Sequence, residues 1–324
     1  MQSLSDEVTE IRAVYDSTDP DQTDPEFQPC RIGMDYNADI NCTLEFIAPR
    51  EMKPPILIYY ELENFHQNHR SYSSSRNDKQ LTGGNAEDAA VDECTPLTKL
   101  GNQTLNPCGK IANTFFNDVF YLSGQDEDGN DLLMQEDGIA WQSDIQYRFA
   151  QPSGFLMELC DPPDVFNASC CDNEFSCDEP ARSKKDGLYY AYHYPEEETT
   201  HYLYETYPQI SPLDGVTDEH FIVWMRVATR PRFRKLYGYV EKTIPEGARF
   251  SFTINNNYVV ESFGGYKAII ISTTSIFGGK NSYLGKTFYV AGFFCLGCGL
   301  VFAAKHWFRP RKIADRKYLH YKED

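Results

Sequence analysis

Basic charge is in short supply. Of 324 residues, 30 are Lys or Arg and 48 are Asp or Glu, a formal net charge of −18. No basic face is left to meet a row of phosphates, which excludes a nucleic-acid binder. Histidine is sparse too: the seven are scattered and form no recognisable triad. His66 and His69 are near enough to share a metal, but no His-Glu-x-x-His pattern or further ligand stands at a useful spacing. No G-x-S-x-G element marks a nucleophile elbow. Residues 279–287 resemble a phosphate loop, yet five residues separate Gly279 from Gly285 where four are needed. There is no sequence repeat and no long low-complexity tract. Residues 1–15 hold no apolar run and no cleavage site of the kind a secretory leader needs.

What the chain does have lies near its end. Residues 288–304 are seventeen in a row without charge. As a helix at ~1.5 Å per residue they span ~25 Å, a little short of a ~30 Å hydrocarbon core. Leu284, Trp307 and Phe308 make up the difference, Tyr283 and Trp307 suit the interface, and Lys286 and Lys305 can snorkel to headgroups. A buried core helix is the plain alternative, but such helices rarely lack a polar face and end in a basic cluster. Residues 284–308 are therefore predicted to cross a membrane. The tail from Lys305 to Asp324 holds seven Lys/Arg and three Asp/Glu, net +4, which leaves −22 for the rest. Basic flanks stay in the cytosol. This predicts a basic cytosolic tail at 309–324, an exoplasmic domain at 30–283 and a membrane-proximal N-terminal segment at 1–29.

Eight of the ten cysteines precede the apolar run, as do three N-x-Ser/Thr acceptors, Asn41, Asn102 and Asn167. Outside the cytosol, an even cysteine set reads as a disulfide framework and the acceptors as glycosylation sites. Cys30 and Cys42 are twelve apart, and Cys94 and Cys108 bracket a loop, fourteen apart. Cys160, Cys170, Cys171 and Cys177 crowd a loop rich in Pro and Asp. Adjacent cysteines seldom bond to each other, so Cys170 and Cys171 are each expected to pair with one of the outer two. A zinc site is the rival there, disfavoured by the oxidising compartment. Cys295 and Cys298 lie inside the apolar run without a second pair, so packing is their expected role.

Within the domain, 54–62, 249–260 and 267–277 read as strands, with Gly264-Gly265 as the turn between the last two. The tyrosine-rich stretch 187–207 suits strands of a half-buried sheet more than an aromatic binding face. Thr217 or Asp218 can cap a helix through Phe221, Trp224 and Met225, which Pro231 ends. Residues 6–15 read as a helix. Asp126, Asp128 and Asn130 have calcium-loop spacing, but Asp131 replaces the turn glycine and Asp137 the closing Glu, so a solvated acidic loop is expected. The basic island from Arg230 to Lys235 serves either internal salt bridges or contact with lipid headgroups or an acidic partner. Together these predict a membrane protein: a mostly β, antiparallel, sandwich-like ectodomain with helical insertions, plus a C-terminal transmembrane helix. Along that helix Ala291, Cys295, Gly299 and Ala303 recur every fourth residue, a small-residue ridge that lets a partner helix pack closely.

Several long stretches, in order, resemble the cell division control protein 50 family, also called ligand-effect modulator proteins. They are residues 59–72 (from Tyr59-Tyr-Glu-Leu-Glu-Asn-Phe), 106–118 (from Asn106-Pro-Cys-Gly), 138–141 (Gly138-Ile-Ala-Trp), 221–226 with 231–237, and 278–285. The resemblance implies an accessory β-subunit of a type IV P-type ATPase, a phospholipid flippase. Its ectodomain would be glycosylated and disulfide-bonded, and it would assist ER exit and stability of the complex. ATP hydrolysis would belong to the partner, and no catalytic residue, metal or cofactor would belong to this chain. The expected partners are the ATPase, in a heterodimer, and membrane phospholipids, in the endoplasmic reticulum, Golgi, endosomes or plasma membrane. The disulfides Cys30–Cys42 and Cys94–Cys108 are also implied, each closing a loop worth ~3 kcal/mol in the chain-entropy view. The four cysteines from Cys160 to Cys177 look like a local addition. The family's first membrane helix is missing, so Met1 is expected to be an internal start of a longer chain. The runner-up from another class is a single-span surface glycoprotein acting in adhesion or as a receptor.

Overall fold

The computed structural model describes residues 8–19, 21, 23–33, 40–84, 91–159, 181–185, 187–275, 278–279 and 282–309. The chain divides into two units, Glu10–Thr273 and a second made of Met1–Thr9 with Thr274–Asp324.

The larger unit is built on two antiparallel sheets. Strands β1 (Glu10–Ser17), β13 (Tyr266–Thr273), β3 (Ile56–Leu62) and β11 (Phe233–Val240) form one in that order, and β2 (Ile40–Ile47), β12 (Arg249–Asn256) and β6 (Val119–Gly124) form the other. β2 and β12 alternate as half-buried strands do: Leu44 and Phe46, and Phe250, Phe252 and Ile254, point inward, while Thr43, Glu45 and Ser251 stay outside the core. β13 (Tyr-Lys-Ala-Ile-Ile-Ile-Ser-Thr) is buried along its whole length, flanked by β1 and β3. One core joins both sheets, with Tyr15, Ile58, Phe120, Phe252 and Ile269 in contact through it. Each such side chain, fully removed from water, contributes about 1.5–3 kcal/mol. The mostly β, antiparallel character of the unit is what the sequence predicts.

Two smaller sheets complete it. β7 (Leu156–Leu159), β9 (Leu188–His193) and β8 (Ala181–Lys185) are antiparallel, whereas β10 (Thr200–Tyr202) runs parallel to β5 (Gln103–Asn106), which pairs with β4 (Lys99–Leu100). Short helices lie between the strands in the chain, among them Arg70–Ser73, α1 (Asp78–Leu81), α2 (Gln142–Tyr147) and α3 (Glu219–Met225), whose Phe221, Trp224 and Met225 enter the core.

One sequence expectation is corrected. The stretch 6–15, read as a helix, contributes a strand instead: Glu10–Ser17 pairs with β13 from Glu10↔Ser272 to Ser17↔Tyr266. Ile11, Val14 and Tyr15 favour a strand once a partner edge is present. The turn at Gly264, with φ 64°, separates two strands as expected, and these two, β12 and β13, belong to different sheets.

In the smaller unit, α4 (Ser282–Phe308) is a continuous helix. Its stretch Gly285–Phe308, 24 residues, is long and apolar enough to cross a membrane. At ~1.5 Å per residue that is about 36 Å, beyond the ~30 Å required.

Candidate partner-docking site

The rigid centre of the large unit is a buried charge. Lys267 on β13 is 0% exposed, 2.8 Å from Asp118 and 3.6 Å from Asp16. Its ammonium also donates to Asn256 Oδ1 and the Tyr258 carbonyl. Asp118 accepts from Tyr15 Oη at 2.7 Å and from the amides of Asn257 and Tyr258 at 2.6 Å. Asn256 donates to the Cys30 carbonyl at 2.6 Å. Thus β1, β12, β13, the start of β6 and the Cys30 turn meet at one satisfied polar cluster. Burial, more than the offsetting attraction of Lys267, holds the Asp16 carboxyl above its ordinary value.

Around that centre the family-like stretches converge. Phe65 packs against Tyr72, Trp224, Phe233, Tyr258 and Phe263. Trp224 on α3 donates its indole N–H to the Ile111 carbonyl at 2.7 Å. Gln67 Oε1 accepts from the Ala228 amide, and Asn68 donates to the Thr229 carbonyl, both at 2.8 Å. Asn64 holds a left-handed φ of 63° and donates to the Phe263 carbonyl at 2.7 Å. Gly109, at φ 100°, lies where any Cβ would overlap the Ser75 carbonyl, so only glycine fits. Segments 59–72, 106–118 and 221–237 therefore form one packed block.

Helix α3 links this block to a surface. Asp218 caps it by accepting from the Phe221 amide at 2.9 Å. Glu219, in its first turn, accepts from the amides of Gly138 and Ala140 at 2.9 and 2.8 Å and so fixes the loop that carries Trp141. Beyond the last turn, Arg226 stacks over the Trp141 ring at 5.1 Å and donates through Nε to Asp144 of α2 at 2.6 Å. Arg148 stands 3.7 Å from the same carboxylate. A cavity of about 510 Å³ opens here, lined by Arg76, Asp78, Asp144, Tyr147, Arg148 and Arg226 among others. A second, about 300 Å³ and mostly apolar, is lined by Ile139, Trp141, Ile222, Ala228 and Leu236, and again by Arg226.

His220, one residue further along α3, pairs with Glu136 at 2.8 Å and lies against the Tyr237 ring at 4.4 Å. Burial pulls its pKa down, but the hydrogen bond to Glu136 and the charges of Asp218, Glu136 and Glu219 outweigh that and leave it raised.

Three of the four cations of the basic island are held inside the domain, and Arg230 is exposed. Arg232 pairs with Glu61 at 3.1 Å, which also holds Arg12 at 2.9 Å, and Arg234 pairs with Glu10 at 3.0 Å. Lys235 donates to the carbonyls of Val223, Trp224 and Arg226 at the end of α3, where the helix dipole favours a cation, while burial and Arg226 push its pKa down to about 7. The acidic loop is tied to itself: Asp126 accepts from the amides of Asp128 and Asn130 and pairs with Lys242 at 2.8 Å, which holds its carboxyl down at about 2. The tyrosines of 187–207 pack on one another, with Tyr194 against Tyr192, Tyr202 and Tyr204.

Cys30 is bonded to Cys42 and Cys94 to Cys108. Asn41 on β2 and Asn102 in the β4–β5 turn are exposed. Cys160, Cys170, Cys171, Cys177, Asn167 and the tail beyond Arg309 lie outside the described residues. Ala291, Cys295, Gly299 and Ala303 all lie exposed on α4. Sequence reasoning does not single out Lys267, Asp118, Asp144, Arg148 or Arg226 as a group. Asp118 and Arg226 close two of the stretches that resemble the family, and Lys267 stands as a lone cation within an apolar strand; Asp144 and Arg148 carry no such signal.

The fold and this block define a class, and comparison with known proteins identifies it. The chain matches the LEM3 (ligand-effect modulator 3) family / CDC50 family over residues 1–312, and it belongs to that family. It is 33% identical over 286 residues to ALA-interacting subunit 3 of Arabidopsis thaliana, covering 87% of this chain and 68% of that one. It is 32% identical over 309 residues to Cell cycle control protein 50A of Mus musculus, covering 92% and 75%. To the Phospholipid-transporting ATPase accessory subunit CDC50 of Chaetomium thermophilum it is 29% identical over 294 residues, covering 87% and 64%.

Proposed function

We propose that this chain is the non-catalytic accessory subunit of a phospholipid-translocating type IV P-type ATPase. It forms a heterodimer with the catalytic chain and supports ER exit, stability and lipid flipping by the complex. The observation that carries this reading is the family match across residues 1–312, joined by relatives named as ATPase accessory or interacting subunits. ATP hydrolysis and the lipid path belong to the partner. α4 spans the membrane of the endoplasmic reticulum, Golgi, endosomes or plasma membrane, with the large unit on the exoplasmic side. Asn41, Asn102 and Asn167 are its glycan acceptors, and Cys160, Cys170, Cys171 and Cys177 supply two further disulfides.

The ridge of Ala291, Cys295, Gly299 and Ala303 packs against a helix of the ATPase. In lipid, helices associate through close van der Waals contact, which small residues permit. A Cβ added at Gly299 meets nothing within 4 Å in this chain and the position is exposed, so Gly299→Leu is expected to leave the chain's own packing intact. Affinity purification in mild detergent tests both statements. A large multi-span ATPase is expected at near-equal amount with the wild type, and at reduced amount with Gly299→Leu. Recovery of no ATPase points instead to an adhesion or receptor glycoprotein. Unchanged recovery with Gly299→Leu removes the ridge from the interface.

A further inference from the structure

We infer that the two cavities on either side of Arg226 receive an exposed segment of the ATPase subunit that presents an acidic side chain beside an apolar one. The inference rests on the accessory-subunit reading and names the surface that serves it. In a chain of net charge −18, three guanidinium groups (Arg76, Arg148 and Arg226) line the first cavity against two carboxylates, Asp78 and Asp144. Asp144 is 3% exposed and its charge is held from within by Arg226 at 2.6 Å and Arg148 at 3.7 Å. Asp78 pairs with Arg76 Nε at 2.9 Å. Among the described residues, Arg226 donates a hydrogen bond through Nε alone, and no terminal guanidinium nitrogen of Arg76, Arg148 or Arg226 donates one. Such forks match an incoming carboxylate, which two parallel N–H groups can hold at once.

The second cavity supplies the apolar half. It is about 300 Å³ and walled by Ile139, Trp141, Ile222 and Leu236; Arg234 and Lys235 also line it, but their charges are held by Glu10 and by the carbonyls at the end of α3. Arg226 and Trp141, stacked on each other, form the partition. The rim is aromatic: Trp141 is 66% and Tyr147 77% exposed. Trp, Tyr and Arg around a pocket are the residues that carry most of the energy in protein interfaces.

The test uses the full chain co-expressed with the ATPase. A photo-crosslinking phenylalanine replaces Tyr147 or, as a control, Tyr121, which is 58% exposed on β6. Crosslinking from position 147 is expected to a segment of the ATPase holding Asp or Glu next to an apolar residue, and none is expected from 121. Arg148→Glu is expected to lower ATPase recovery on the order of tenfold, while Arg148→Lys retains most of it. The Arg148 side chain is 62% exposed and stands 3.7 Å from Asp144, so Arg148→Lys should keep the wild-type unfolding temperature. Arg148→Glu sets a like charge beside that carboxylate. Its recovery is therefore read against Arg148→Gln, which removes the fork without adding the charge and should show the same direction of loss. If the wild type recovers the ATPase, yet Arg148→Glu recovers as much and position 147 labels only lipid or nothing, the inference is overturned and the accessory-subunit reading stands. If the wild type recovers no ATPase, both fall.

Discussion

At the scale of single residues, Lys267 is the most exacting position. A charge removed from water costs several kcal/mol unless its surroundings return it, and here two carboxylates, an amide oxygen and a carbonyl do so. Replacing the lysine by Met leaves Asp16 and Asp118 buried without a counter-charge. Lys267→Met should therefore destabilise the protein by about 3–5 kcal/mol. Adding Asp118→Asn should restore part of that, because the amide oxygen can still accept from Asn257 and Tyr258. Thermal unfolding of the full chain in mild detergent measures it. A loss below about 1 kcal/mol, the size of an ordinary surface change, would show that the cluster does not brace the sheets. Lys267 itself is legible in the sequence, as an interruption of an apolar strand. Its partners are not, because nothing local tells Asp118 or Asp16 that they will lie beside it.

At the scale of elements, local chemistry is readable and pairing is not. α3 is legible because its signals are local: the Asp218 cap and the apolar face of Phe221, Trp224 and Met225; its end is not, since the helix stops at Met225 and not at the expected Pro231. β1 reads as a helix because an isolated Glu-Ile-Arg-Ala-Val-Tyr has no strand partner in its own neighbourhood. Its partner is β13, near the other end of the chain. The parallel pairing of β5 with β10 is distant for the same reason. The contact between α3 and the segment carrying Glu136 gives a pH-dependent prediction. The folded pKa of His220 is raised above the ordinary value of ~6.5. The folded state therefore holds that proton more tightly than the unfolded chain does. The stabilisation is complete below pH ~6.5 and is lost as pH rises through the folded value. Asp218, raised chiefly by burial, acts in the same direction at lower pH. The difference in unfolding temperature between wild type and His220→Gln should thus be largest below pH ~6.5 and shrink on going alkaline. A difference that grows with pH is the result that counts against the pair.

At the scale of the whole molecule, the distribution of charge is the argument for the proposed orientation. Before Lys305 the chain carries a net charge of −22, and from Lys305 onward +4, with the apolar run of α4 ending at the boundary. Moving the acidic unit rather than the basic tail across a bilayer obeys the preference of Lys and Arg for the cytosolic flank. The exoplasmic side proposed for the large unit is an oxidising one, which would suit its two bonded cysteine pairs and its exposed asparagines at 41 and 102. That asymmetry is legible from sequence alone, since it depends on composition and not on contacts. Its consequence can be read in sealed microsomes. Protease added outside should leave the large unit intact and remove only the tail, and Asn102→Gln should abolish one glycosidase-sensitive step in gel mobility. Digestion of the large unit from outside would reverse the orientation. Protection without any glycosidase-sensitive step would keep the orientation and leave the exposed asparagines unmodified.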